Sequence, residues 1–312
     1  MLSLTVVAAR LAQFASAMIL FGSPLFFIYG LPAKGPDAAV GMSWPRPFML
    51  GAAVLFAIAT VVSLCAQTAV MSGSTADAFR PDALTGVLTG TQFGLGTAAR
   101  LTLAVLAVAG LIVGRLSRPL WLVLAVLGAG ATASFAWTGH GAIDDGAAGW
   151  AHLVGDILHL LAASVWLGAL TVLTLLLLHA AGAGRRETPA ALHRALAGFS
   201  GIGSGAVAVL LATGLLNSWF LIGPSHVAEI GRTTYGVLVL AKVALFAGML
   251  ALAAANRFQL TPRLGAALER HPDACDDAVA ALRRSVLLET SIGAVVLLLV
   301  AVLGTLAPLS SG

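Results

Sequence analysis

His152, Asp156 and His159 lie within one apolar stretch, roughly residues 150–180, at spacings of four and three. At about 100° per residue, positions seven apart differ by only about 20°, so a helix there carries all three on one stripe. Imidazole suits copper, zinc, iron and nickel, and a neighbouring carboxylate can ligate directly or orient a ring from behind. With a rise of about 1.5 Å per residue, the two histidines stand about 10.5 Å apart along the axis, too far to hold one ion between them. The spacing therefore predicts two stations, or one site and a relay position. His140, in the Gly139-His140-Gly141 run just ahead, is placed to join His152, while His159 needs partners from other helices.

The elements that must position these groups follow from composition. Of 312 residues, 59% are hydrophobic and 10% charged, and the mean hydropathy is +0.97, which excludes a soluble domain of this length. Eight runs of about 20 apolar residues, each long enough for a hydrocarbon core of about 30 Å, predict an all-α polytopic membrane helix bundle in the lipid bilayer. They span roughly 4–30, 47–71, 86–113, 119–138, 150–180, 196–222, 234–256 and 285–307, and leave room for one transmembrane domain over 1–312. Arg10 interrupts the first run, which continues to Tyr29 and is too long for the apolar core of a signal peptide. Cys65 in the second run and Cys275 in a polar connection do not indicate a disulfide.

A pI near 9.7 is a property shared with nucleic-acid-binding proteins, but the basic residues are spread over alternate loops rather than clustered with aromatics, so membrane topology accounts for them and nucleic acid is not an expected partner. Lys34, Arg46, Arg115, Arg118, Arg185, Arg186, Arg194, Arg257, Arg263, Arg270, Arg283 and Arg284 fall on one side, and Arg80 and Arg232 on the other. The positive-inside rule then places both termini on the periplasmic side. The longest connection, 257–284, reads as a solvated charged helix or loop, with Asp273, Asp276 and Asp277 as an alternative cation cluster. Gly201, Gly203 and Gly205 are expected to let helices approach closely.

On this topology the polar residues are lopsided. Arg10, Gln13, Cys65, Gln67, Met71, Gln92, His152, Asp156, His159, Asn217 and Lys242 fall in the outer half of their segments, whereas the inner half offers Arg100 near the middle and Glu289. A vestibule open to the outside is expected, without a continuous ion path. The amides can equally serve as interhelical hydrogen-bond partners, and Asp156 can pair with Lys242 or Arg10 instead of a metal. Cys65 and Met71 are secondary ligand candidates of the soft kind that favours Cu(I), and His with Asp also suits Cu(II) or Zn(II).

Trp137-Thr138-Gly139-His140, then His152, His159 and Trp166-Leu167-Gly168, are followed by Thr213-Gly214-Leu215 with Asn217 and Tyr235-Gly236 with Lys242. Asn256-Arg257-Phe258, Pro262-Arg263-Leu264 and Arg283-Arg284-Ser285 with Glu289 complete an order in which the chain resembles the CopD/PcoD family of bacterial copper-resistance membrane proteins. The resemblance implies an eight-helix inner-membrane protein of copper homeostasis, not an enzyme, working alongside a small periplasmic copper protein of the CopC type. Because the chain starts directly at its first helix, that carrier is expected to be a separate partner. Copper is then taken from the periplasm by His140 and His152 and held deeper by Asp156 and His159, in an oxidation state the residues leave open. The rival reading is a redox protein holding a b-type haem or a quinone on the same histidines, with Arg10 or Lys242 against the propionates. A third is an anchor that recruits a periplasmic copper protein through Asp144 and Asp145.

Overall fold

The computed structural model describes residues 2–32, 42–138, 146–183, 188–270 and 275–311. His140, Asp144, Asp145, Lys34, Arg185, Arg186 and Asp273 lie outside the described residues. No strand occurs among the described residues, and seven helices are long and apolar enough to cross a membrane. These are α1 (Leu2–Tyr29), α2 (Pro45–Ser72), α4 (Gln92–Val113), α6 (Gly146–Ala183), α7 (Thr188–Leu221), α8 (Thr234–Ala255) and α10 (Asp276–Leu303). The eighth apolar run forms α5 (Arg118–Ala133), which at 16 residues is about 24 Å long and is extended by a 3₁₀ turn at Ala136–Thr138. Two short helices stand apart from the crossings, α3 (Pro81–Gly90) and α9 (Thr261–Arg270).

The third run departs from expectation. A single segment over 86–113 is instead broken at Thr91, whose extended backbone (φ −131°, ψ 152°) and hydroxyl, accepting from the Gly94 amide at 2.9 Å, start α4 afresh. A Cβ on Gly94 would stand 2.1 Å from the Val87 carbonyl oxygen, so only glycine allows the fold-back onto α3. Ser117 and Thr233 cap α5 and α8 in the same way, through the amides of Leu120 and Gly236. At the far end of α4, Arg46 donates to the carbonyls of Leu111 and Gly114 at 2.5 and 2.7 Å, satisfying acceptors that a helix C-terminus leaves open.

Helix α1 occupies the centre, packed against α2, α5, α6 and α10. Lipid offers no hydrophobic force between helices, so small residues that permit close backbone contact decide the arrangement. A Cβ on Gly22 would sit 1.9 Å from the Ser164 carbonyl oxygen, one on Gly168 would sit 2.5 Å from the Gly22 Cα, and one on Gly128 would sit 2.4 Å from the Leu20 carbonyl. These three glycines clamp α1 between α5 and α6. Ser23 adds a bond to the Gly168 carbonyl at 3.4 Å, and Gln13 donates to Thr60 of α2 at 3.2 Å, the interhelical role open to a membrane amide. Gly201 and Gly205 instead face open space and Gly203 faces the Phe199 ring of its own helix, so the expected close approach along α7 does not occur there.

The long polar connection is largely ordered. Helix α8 runs through a π-helical turn, Asn256–Leu260, into α9, and Asp276 and Asp277 form the first turn of α10, where carboxylates favour a helix N-terminus. Cys275 is buried just ahead of them, Cys65 lies in α2, and the two form no disulfide.

Candidate functional site

Helix α6 reaches the site from the end of the bundle that carries both termini. Its stripe of His152, Asp156 and His159 faces α7, α8 and α10 and lines a cavity of about 240 Å³ together with Arg10, Asn217 and Lys242. Six of the eleven polar groups assigned to one end by sequence depth therefore share one chamber. His152 is buried and its ring stacks on Phe220 of α7, with centroids 4.5 Å apart and planes within 6°. Asp156 accepts from the Asn217 amide at 3.3 Å. Nδ1 of His159 meets the Thr213 hydroxyl at 2.9 Å, which leaves Nε2 as the nitrogen for other work. The charge of Lys242, from α8, acts on both Asp156 and His159.

Arg10 closes the chamber at α1 against Gly304, where any added Cβ would collide with the guanidinium. Its charge stands over the Phe14 ring at 5.7 Å, Phe14 packs on Phe135 at 4.6 Å, and Arg100 stands over Phe135 at 4.4 Å. Two guanidiniums thus bracket one aromatic pair, a cation–π arrangement that suits charges removed from water. Arg100 donates to the Ser134 hydroxyl and carbonyl at 2.9 and 3.0 Å. It belongs to the same end as Arg10, contrary to its expected place in the inner half: the break at Thr91 removes α3 from the span and brings Arg100 within eight residues of the start of α4.

Not every candidate joins. Cys65 and Met71 are on α2, outside the chamber, with Met71 53% exposed on the outer surface of the bundle, and Gln92 is exposed at the start of α4. His140 lies outside the described residues. Among the described residues, no three His, Cys, Asp or Glu side chains gather closely enough to cage a metal ion. Both chamber histidines come from one helix, whereas haem ligation from two facing helices requires them on two.

Below this chamber the cleft between α7 and α8 continues. A second cavity of about 240 Å³ shares His159 and Lys242 with the first and descends to Trp166, and a third of about 480 Å³ runs from Trp166 to Glu289 and Asn256. The inner half, where no continuous ion path was expected, holds a series of chambers divided by side chains. Thr213, Tyr235, Trp166 and Asn256 were not singled out as functional, yet each sits within the short sequence pieces that carry the family resemblance. Phe220 lies in none of them.

Residues 1–150 match the family model described as copper resistance protein D-like, N-terminal domain, and residues 193–303 match that described as copper resistance protein D. Copper resistance protein D of Pseudomonas syringae pv. tomato is 36% identical over 306 residues, covering 97% of this chain and 96% of that protein. Inner membrane protein YebZ of Escherichia coli (strain K12) is 31% identical over 312 residues, 99% and 100% of the two chains. Copper transport protein CutJ of Bacillus subtilis (strain 168) is 27% identical over 261 residues, 81% of this chain but 46% of that protein. No solved structure matches. With relatives of this identity over nearly its whole length, the chain is a multi-pass membrane protein that belongs to the copper resistance protein D family.

Proposed function

We propose that this chain is a single-domain inner-membrane copper carrier that takes the ion from the periplasmic side, where both termini lie, and moves it inward along α6. The observation that supports this reading is the shared chamber of His152, Asp156 and His159. Imidazole nitrogen and carboxylate oxygen fit copper, and the stacking of His152 on Phe220 and the Thr213 contact of His159 hold each ring in a defined orientation. In this reading copper is cargo that passes between stations along the α6 stripe. His140 with His152 forms the entry station, and His159 with Asp156 the deeper one. Asn217 holds Asp156 in place, and Lys242 offsets the carboxylate charge when no copper is present. A periplasmic copper protein of the CopC type delivers the ion.

Metal analysis and an absorption spectrum of purified wild type beside His152→Ala/His159→Ala test this. Bound copper that falls in the folded double mutant is the expected result. Copper unchanged by the double substitution, or a Soret band lost with the same histidines, refutes it.

A further inference from the structure

The chamber farthest from the histidines contains a second polar site that the copper reading does not use. Glu289 of α10 is 2% exposed, and its two carboxylate oxygens each accept one hydrogen bond, from Trp166 Nε1–H at 2.8 Å and from the Asn256 side-chain amide at 2.9 Å. Both donors are neutral, and a buried carboxylate compensated only by neutral donors retains its attraction for a cation. Asn256 is itself 8% exposed, and with its NH₂ committed to Glu289, its Oδ1 is buried with no hydrogen-bond partner among the described residues. An unmet acceptor beside a carboxylate, both lining a cavity of about 480 Å³, is the mirror image of a cation.

Local backbone geometry places this pair. Asn256 begins the π-helical turn, its carbonyl accepting from the Thr261 amide five residues on, and such single π turns inside helices recur at functional sites. The elements around Glu289 are α6, α7, α8, the π turn and α10. Among the described residues lining the cavity they present one further ionisable side chain, Arg257. It is turned to α7, where it donates to the Ser200 carbonyl and the Ser204 hydroxyl, and it makes no ion pair with Glu289.

We propose that Glu289 and Asn256 form a binding site for a hard monovalent cation, a proton or a sodium ion. Oxygen donors are the wrong partners for soft Cu(I), and a single buried carboxylate offsets the charge of a monovalent ion and not the two charges of calcium or magnesium. Trp166 lines both this chamber and the middle one that reaches His159, so occupancy here is felt at the wall dividing the two. The cation site stands without the copper reading; its use as the coupling ion for copper movement rests on that reading.

The test uses full-length protein in lipid nanodiscs, wild type beside Glu289→Gln and Asn256→Ala. Infrared difference spectra across a pH jump in sodium-free buffer report a protonated carboxyl, and tryptophan fluorescence during a NaCl titration at fixed pH, with choline chloride as control, reports sodium through the Trp166 bond. A carboxyl band absent from Glu289→Gln identifies the proton, and a saturable sodium response absent from the same variant identifies sodium. Asn256→Ala keeps the carboxylate; it is expected to weaken the sodium response about tenfold, the scale of one lost interaction, and to strengthen proton binding, because the amide no longer donates to the ionised carboxylate; it also carries the test should Glu289→Gln not fold. Wild type that shows neither signal, or an Asn256→Ala response equal to wild type, overturns the proposal. Copper titration of the same samples keeps the two readings apart, since copper that is retained in Glu289→Gln leaves the histidine site standing whatever the cation result.

Discussion

Asp156→Asn removes one negative charge from the histidine chamber and little else. The new side chain keeps the size of the old, and its oxygen can still accept from Asn217, so the α6–α7 contact at 3.3 Å survives. The chamber otherwise holds Arg10 and Lys242 as its cations, with Asp156 as its one carboxylate. Asp156 and His159 are three residues apart on a helix, which sets their side-chain bases about 5–6 Å from each other. A singly charged copper ion on His159 at about 6 Å from the carboxylate gains about 3 kcal/mol at an effective dielectric of about 20, and a doubly charged one about twice that. We predict that Asp156→Asn weakens copper binding about a hundredfold. Lys242→Met should change affinity in the opposite direction, because the lysine lines the same chamber as His159. Competition with a chromophoric copper chelator, on protein whose elution profile and melting curve match wild type, measures both. An Asp156→Asn affinity within about threefold of wild type, or weaker binding in Lys242→Met, would refute the electrostatic argument. A loss that equals or exceeds that of His159→Ala would make Asp156 a direct ligand, where a smaller loss marks it as acting through its charge.

Two further outcomes follow from the fold and the topology. Gly168→Val places a branched side chain against the Gly22 backbone, where even a Cβ stands 2.5 Å away, and should lower stability by about 1–3 kcal/mol or more; an unchanged Tm would mean that α1 and α6 do not meet there. Cysteines introduced at the exposed positions Asp82 and Glu269 should react with an impermeant thiol reagent in intact cells at the first and not at the second, and the reverse pattern would invert the assignment of both termini to the periplasm.

The spans themselves were readable from the chain because bilayer thickness divided by helical rise demands a long apolar run whatever the neighbours do. The stripe on α6 was readable for the same reason: the period of a helix is a property of the backbone. Where local chemistry overrode apolarity the reading slipped, as at Thr91, whose cap and the glycine contact behind it split one expected span into α3 and α4 and left Arg100, expected near the middle of that span, closer to the end it shares with Arg10. Likewise Gly201 and Gly205 look like packing glycines by type, but Gly22, Gly128 and Gly168 make the close contacts, since a glycine matters only where another backbone arrives.

Sequence by itself thus determined an all-helical membrane bundle, the depth of most of its polar groups and the shared face of His152, Asp156 and His159. Tertiary structure alone decided that Asn217, Lys242 and Arg10 join that face while Cys65 and Met71 do not, and that Trp166, Asn256 and Glu289 meet from three distant positions. Depth along a helix follows from counting residues, but which helices are neighbours, and which side chains therefore face one chamber, depends on how the whole set of surfaces packs at once.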